Sequence, residues 1–263
     1  MLTDYSKYKR VFAFGCSFTN WNYPTWADIV AKSCENAEFY NFGRGGAGNI
    51  FISSRITQAN IKFNFDENDL ILVMFSTPLR EDRWIRGSWR PVGNIYNQSF
   101  YDKKFVKDYT DPVGLIIRDL TVTETAISYL NSLPCDTLML RSVEFGHSEF
   151  TFKFDDFERY SDRIIQIYNS SSISKLPKSL LESSLSPLRE CVFKMKHGED
   201  YYDSHPWPID YLNYLQSIGI TLTENAIEYA KYANDFVENV VYLEDLYAEF
   251  PSISNINEKY EIF

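Results

Sequence analysis

Four short apolar segments alternate with stretches that carry helix signals, and this alternation narrows the fold more than any other feature of the chain. Val11-Phe12-Ala13-Phe14 is a continuous apolar run ending at Gly15, the pattern of a strand buried on both faces. Pro24-Thr25 opens a predicted helix through about Cys34, with Thr25 as N-cap and Asp28 in the capping-box position. Phe39 to Phe42 reads as a second strand, and a helix is predicted from about Asn49 to Phe63. Leu70 to Phe75 is a third strand. Pro112 to about Leu133 is a helix started by Asp111-Pro112, and Thr137 to Leu140 is a fourth strand. Strands separated by helices imply a parallel, doubly wound sheet in a three-layer α/β/α arrangement. The last helix is predicted over about Thr223 to Val240, with Ala226, Ala230, Ala233 and Val237 as its inward stripe.

Two stretches break the rhythm. Ser76 to Asp111 is rich in aromatics and arginine and has no clear period. Phe145 to about Tyr201 is also irregular, with a predicted helix near Asp156 to Tyr168 and a Ser-rich tract, Asn169 to Ser174, that reads as a mobile surface loop. The expected organisation is a single domain over residues 1–263 with insertions at about 76–111 and 145–201.

The net charge of −10 and the lack of a Lys/Arg run argue against a nucleic-acid footprint or an anionic membrane surface. Four cysteines, at 16, 34, 135 and 191, are too scattered for a zinc knuckle or a redox pair. They read as reduced, mostly buried thiols. Met1 to Lys7 is polar, and no run reaches the roughly 18 apolar residues of a membrane span. The expectation is a cytoplasmic protein with no membrane partner.

Ligands of an open α/β sheet bind outside the carboxyl ends of its strands. Four segments fall at or near that edge. Gly15-Cys16-Ser17-Phe18-Thr19 follows the first strand, and a glycine cluster, Gly43 to Gly48, follows the second. Ser76-Thr77-Pro78-Leu79-Arg80 follows the third, and Asp203-Ser204-His205-Pro206 precedes the terminal helical region. A serine on a tight turn at a strand end is exposed to a base, although such a turn also serves simply to end a strand. Cys16 is a rival nucleophile; if strand alternation continues past Phe14, Ser17 faces the cleft and Cys16 the core. The glycine cluster matches neither the Walker pattern nor G-x-G-x-x-G. It suits close backbone approach, with amides at a helix N-terminus able to hold an oxyanion. The chain has three histidines, 147, 197 and 205, so candidates for the base are few; His205 sits in Asp203-Ser204-His205-Pro206, where the neighbouring carboxylate can fix its tautomer. The rival reading of that segment is a surface turn. Glu144, His147 and Glu149 lack a helical i, i+4 ligand pair, so no metal and no other cofactor is expected.

Taken together, these segments resemble the SGNH hydrolase superfamily, the GDSL-like esterases, along almost the whole chain. The family's first block places its nucleophile in a G-x-S turn near the N-terminus, here Gly15-Cys16-Ser17. Its second block is a glycine turn after an Asn-bearing strand; counted from Asn41, the oxyanion glycine is Gly46. Its last block is an Asp and a His before the terminal helix, here Asp203 and His205. The resemblance implies the flavodoxin-like SGNH fold. It also implies Ser17, His205 and Asp203 as catalytic residues, with the Ser17 and Gly46 amides in the oxyanion hole. Two departures stand out. The third block, usually G-x-N-D, is Phe75-Ser76-Thr77-Pro78-Leu79-Arg80, with no Asn; either Ser76, Thr77 or Arg80 substitutes for it, or activity is weakened or lost. The last block is D-x-H rather than D-x-x-H, since Tyr202 lies three residues before His205.

The implied chemistry is acyl transfer from an ester to Ser17 and then to water. Arg80, Trp84, Arg86 and Trp89 follow the third strand and should overhang the site. Tryptophans stack on sugars and arginines bind carboxylates or phosphates, which suggests an O-acetylated, acidic saccharide. A loop that packs its own aromatics and pairs its own charges is the competing reading. The same residues are compatible with two other functions: a catalytically weak or inactive carbohydrate-binding or assembly module on the same fold, and acetyl transfer to another acceptor.

Overall fold

The computed structural model describes residues 4–96, 101–143, 155–183 and 191–251. Its centre is a four-stranded parallel sheet of β1 (Arg10–Phe14), β2 (Glu38–Asn41), β3 (Asp69–Phe75) and β6 (Asp136–Arg141), in the order β2-β1-β3-β6. Val11 pairs with Phe39 on one side and with Leu70 on the other, and Leu72 pairs with Leu138.

Alternation along the strands divides the core into two layers. Val11, Ala13, Leu70, Leu72, Met74 and Leu140 face one side. There they pack on α1 (Trp26–Lys32), α7 (Pro208–Ser217) and α8 (Glu224–Asn239). Phe12, Phe14, Ile71, Val73 and Phe75 face the other side. They meet α2 (Asn49–Phe63) and α4 (Pro112–Asn131). All seven residues of β3 are buried, as a central parallel strand requires. The three-layer α/β/α arrangement expected from the sequence is the one observed.

The helix starts follow their local chemistry. The Thr25 amide donates to Asp28 Oδ2 at 2.8 Å ahead of α1. Asp111 accepts from Val113 N at 2.8 Å, with Pro112 in the first turn of α4. In α8 the buried residues are Ala226, Ala230, Ala233 and Val237, the predicted stripe. This helix is not the last, because α9 (Leu243–Glu249) follows and packs Leu243 and Leu246 against Ala233 and Val237.

The two stretches read as irregular contain regular structure. Residues 76–111 hold an antiparallel hairpin of β4 (Arg80–Ile85) and β5 (Ser88–Asn94), followed by α3 (Lys103–Tyr109). Their period was hidden because the hairpin is half exposed and mixes Arg with Trp on both strands. Within 145–201, α5 (Asp155–Ser170) overlaps the predicted helix. The Ser-rich tract is not a free loop. Its first residues finish α5, Ser172 donates to Glu124 through both its amide (2.7 Å) and its hydroxyl (2.6 Å), and Ile173 is buried. Helix α6 (Leu180–Ser183) comes next. A second hairpin, β7 (Cys191–Lys194) with β8 (Asp200–Asp203), ends at the candidate aspartate. Cys16, Cys34 and Cys135 are buried, Cys191 is half-buried, and all four are free thiols.

Candidate active site

The turn after β1 is tight because Gly15 allows it. A Cβ at Gly15 would collide with the Thr19 side chain as the chain folds back on itself. The Thr19 and Asn20 amides both donate to Cys16 O, at 2.9 and 3.2 Å. Thr19 anchors the turn from inside: its carbonyl accepts from Asn41 Nδ2 at 2.7 Å and from Thr25 Oγ1 at 2.9 Å. Cys16 lies in the core with Phe14 and Phe42, as expected, while Ser17 is 6% exposed. Among the described residues, Ser17 Oγ has no hydrogen-bond partner, His205 included.

The glycine turn is tied to the Ser17 turn at several points. Arg44 N donates to Gly15 O at 3.0 Å, and Asn20 Nδ2 donates to Gly43 O at 2.9 Å. Asn41 Oδ1 accepts from Gly43 N at 3.0 Å. Gly46 adopts φ +77°, in the left-handed region, and a Cβ there would lie 3.0 Å from both Gly93 N and Pro91 O of β5. The Gly46 carbonyl accepts from Gly93 N at 3.1 Å. Among the described residues, the Gly46 amide makes no backbone hydrogen bond.

The loop after β3 is held by a residue that sequence reading missed. Asn49, at the start of α2, accepts from Ser76 N through Oδ1 at 2.7 Å. Its Nδ2 donates to Ser76 O at 2.9 Å and to Asp119 Oδ2 at 2.6 Å. The Ser76 amide is therefore occupied, whereas Ser76 Oγ and Thr77 Oγ1 are buried without partners. Arg80 supports the glycine turn: its guanidinium donates to Ala47 O at 2.9 Å. Asp82 of β4 accepts from Gly48 N at 2.8 Å and Phe51 N at 2.9 Å, so the start of α2 is capped from another element.

Asp203 and His205 form a closed pair. Asp203 Oδ1 lies 2.8 Å from His205 Nδ1 and accepts the His205 backbone amide at 2.8 Å. A carboxylate can only accept, so the proton sits on Nδ1 and Nε2 is the basic nitrogen. Burial pushes the Asp203 carboxyl up, but hydrogen bonds from His205 and Trp21 outweigh it and hold the carboxyl below its ordinary range.

Two residues of the Ser17 segment reach His205. Phe18 meets the imidazole edge-on at 5.5 Å between centroids, and Trp21 stacks on its face at 3.6 Å. The Trp21 ring also borders the glycine turn, 3.8 Å from where a Gly45 Cβ would lie. The G-x-S turn, the glycine turn and the Asp203–His205 pair thus share one neighbourhood, with Trp21 at their junction. No signal in the sequence singled out Trp21.

The hairpin residues divide. Trp84 is 48% exposed and meets the half-buried Trp89 edge-on, and Trp89 in turn abuts Phe51 of α2. Arg86 is exposed at the hairpin tip. His147, with Glu144 and Glu149, lies outside the described residues. His197 is exposed and pairs with Glu199. No group of three metal-ligating side chains occurs among the described residues, and no described helix is long and apolar enough to cross a membrane.

No family model matches the chain, and no curated protein sequence does. Among solved structures, the chain is similar to a member of the lipolytic protein G-D-S-L family from Veillonella parvula DSM 2008. The identity is 14%, 81% of this chain and 100% of that chain are covered, and the TM-score is 0.40. It is also similar to a catalytic mutant of an acetylxylan esterase from Geobacillus stearothermophilus, at 11% identity, 81% and 95% coverage and TM-score 0.42. A GDSL-like lipase from Bacteroides thetaiotaomicron VPI-5482 matches at 12% identity, 90% and 92% coverage and TM-score 0.35.

Proposed function

We propose that this chain is a serine ester hydrolase of the SGNH type that removes acyl groups from an O-acetylated, acidic saccharide. The observation that carries the reading is the junction at Trp21, where the Ser17 segment, the glycine turn and a tautomer-fixed histidine adjoin.

In this reading His205 Nε2 takes the Ser17 Oγ proton as Oγ attacks the ester carbonyl. The Ser17 and Gly46 amides hold the oxyanion, with the hydroxyl of Ser76 or Thr77 in place of the family's Asn. The protonated His205 returns its proton to the leaving alcohol. Water, deprotonated by His205, then attacks the acyl-enzyme, and Ser17 recovers its proton as the acid leaves. Asp203 orients the ring and stabilises its charged form. The hairpin beside Gly46 supplies the saccharide contacts through Trp84, Trp89 and Arg86, while Arg80 supports the turn from behind.

A second reading is a binding module on the same fold, and one observation favours it: Ser17 and His205 are not hydrogen-bonded to each other. Catalytic hydrogen bonds often tighten only with substrate bound, so the two readings separate by reaction rather than by distance. A fluorophosphonate probe should label wild-type protein at Ser17 and leave Ser17→Ala unlabelled. Absence of both labelling and activated-ester hydrolysis would leave the binding module in front.

A further inference from the structure

We propose that the Trp21 indole is a positioning residue for the Asp203–His205 pair, clamping carboxylate and imidazole at once so that a D-x-H segment can present Nε2. The kinetic part of this inference rests on the esterase reading; the structural part does not.

Three contacts from one side chain carry the argument. Trp21 Nε1 donates to Asp203 Oδ2 at 2.6 Å, the same ring stacks on the imidazole at 3.6 Å and 25°, and it borders Gly45. Asp203 is fully buried at its side chain. A buried carboxylate needs hydrogen bonds on both oxygens, and Oδ1 is already taken by the two N–H groups of His205. Trp21 supplies the partner for Oδ2.

With only Ser204 between Asp203 and His205, the pair closes as an Asx-type turn through the His205 amide. That turn fixes the backbone and the Nδ1 hydrogen bond holds one edge of the imidazole, but both leave the ring free to tilt about that bond. Stacking on the indole removes this freedom. The indole face also favours the positive charge that the ring acquires as a base. The base is 18% exposed at its side chain, so one face is held by Trp21 while the ring keeps access to solvent.

The test uses Trp21→Phe, which keeps a ring and loses the donor, and Trp21→Leu, which loses both. In wild-type protein, ¹⁵N NMR should show the Trp21 indole N–H shifted downfield and following the titration of the Asp203 carboxyl. In Trp21→Phe the Asp203 carboxyl should titrate at higher pH, and the hydrogen-bonded Nδ1–H signal of His205 should weaken or move. Both effects should persist with Ser17→Ala as background, so they stand apart from hydrolysis. On a small activated ester, Trp21→Phe should lower kcat about tenfold and Trp21→Leu about a hundredfold, with KM within about twofold. If neither variant folds, the wild-type indole titration decides. An indole resonance indifferent to Asp203, or an unchanged Asp203 titration in folded Trp21→Phe, overturns the proposal. A changed NMR signature in a protein without esterase activity would uphold the clamp and refute the esterase reading.

Discussion

Asp203 holds His205 twice through a single oxygen, Oδ1, which accepts the backbone amide and faces Nδ1, each at 2.8 Å. Its other oxygen is occupied by Trp21 Nε1 at 2.6 Å. The carboxylate therefore receives three donors and offers no free side.

This saturation makes Asp203→Asn more damaging than the loss of one charge. An amide has one accepting oxygen and one NH2. If the oxygen serves His205, the NH2 faces the Trp21 N–H; if it is flipped, the NH2 faces both His205 donors. Either way two donors oppose each other in a buried setting. We expect kcat for a small ester to fall by about 10²–10⁴-fold, with measurable destabilisation as well. Steady-state kinetics with a nitrophenyl acetate, beside a thermal melt, checks both. A variant with near wild-type kcat would show that Asp203 does not orient the base.

Asp82 gives a prediction independent of the reaction. It caps α2 from the hairpin by accepting the amides of Gly48 and Phe51, and burial pushes its carboxyl up against those hydrogen bonds. Asp82→Ala strands both amides and should cost about 1–3 kcal/mol in a denaturant melt. Because the hairpin also contacts Gly46, small-ester activity should fall at temperatures where the protein remains folded. Stability within about 0.5 kcal/mol of wild type would show that water replaces the cap.

Much of this architecture was legible in the chain. β1, β3 and α2 lie within a residue of the spans predicted for them, because β1 and β3 are continuous apolar runs and α2 is preceded by a glycine turn that ends a strand. The stripe Ala226, Ala230, Ala233 and Val237 was readable because one face of α8 is buried at helical spacing. The β4–β5 hairpin was not. Its cross-strand pairs, the exposed Trp84 with the half-buried Trp89 and the exposed Arg83 with Arg90, mix apolar and charged residues, so no apolar alternation marks it. The site divides in the same way. Ser17, Gly46, Asp203 and His205 sit in turns with recognisable local chemistry. Asn49, Asp82 and Trp21 act through hydrogen-bond partners between 27 and 182 residues away, and no local pattern encodes such contacts.

Two buried acids, Asp119 and Asp28, contribute a pH-dependent part of the stability. Asp119, fully buried, is pushed up to about 7 by desolvation, and Asp28 to about 6 by the same cause. In the unfolded chain both titrate near 3.8, so between pH ~4 and 7 the native state holds protons that the unfolded state has released. The contribution of these two acids to stability therefore falls as pH rises through that window and levels off above it. Asp203 acts in the opposite sense: its carboxyl is held low, so its contribution is lost as pH falls below its ordinary range. Asp119→Asn keeps an acceptor for Asn49 and removes one titrating proton. The melting temperature of Asp119→Asn relative to wild type should climb from pH ~4.5 to 7. A difference that stays flat across the window would mean that Asp119 is not protonated in the native state.

The hairpin supplies the test of substrate class. The β4–β5 hairpin lies against the Gly46 turn, so side chains on its exposed part can meet the remote portion of a large substrate without touching the reacting carbonyl. Trp84 is the clean probe among the tryptophans, because it is 48% exposed. Trp89 also packs on Phe51, so Trp89→Ala confounds substrate binding with stability. At the tip, Arg86 and Gly87 have φ of 51° and 80°, the left-handed pair that favours Asn-Gly in a two-residue turn. Arg86→Asn therefore removes the charge at a position whose left-handed backbone suits Asn. Trp84→Ala and Arg86→Asn should leave kcat/KM for a nitrophenyl ester within about twofold. On an O-acetylated acidic polysaccharide each should lower kcat/KM about tenfold, equivalent to about 1.4 kcal/mol of lost contact in the transition state. On a neutral acetylated polysaccharide, Trp84→Ala should still show the loss and Arg86→Asn should not, because only the stacking contact is indifferent to charge. If Arg86→Asn has equal effects on the acidic and neutral polymers, the acidic-substrate assignment is wrong. If neither variant affects either polymer, the hairpin packs its own aromatics and takes no part in recognition.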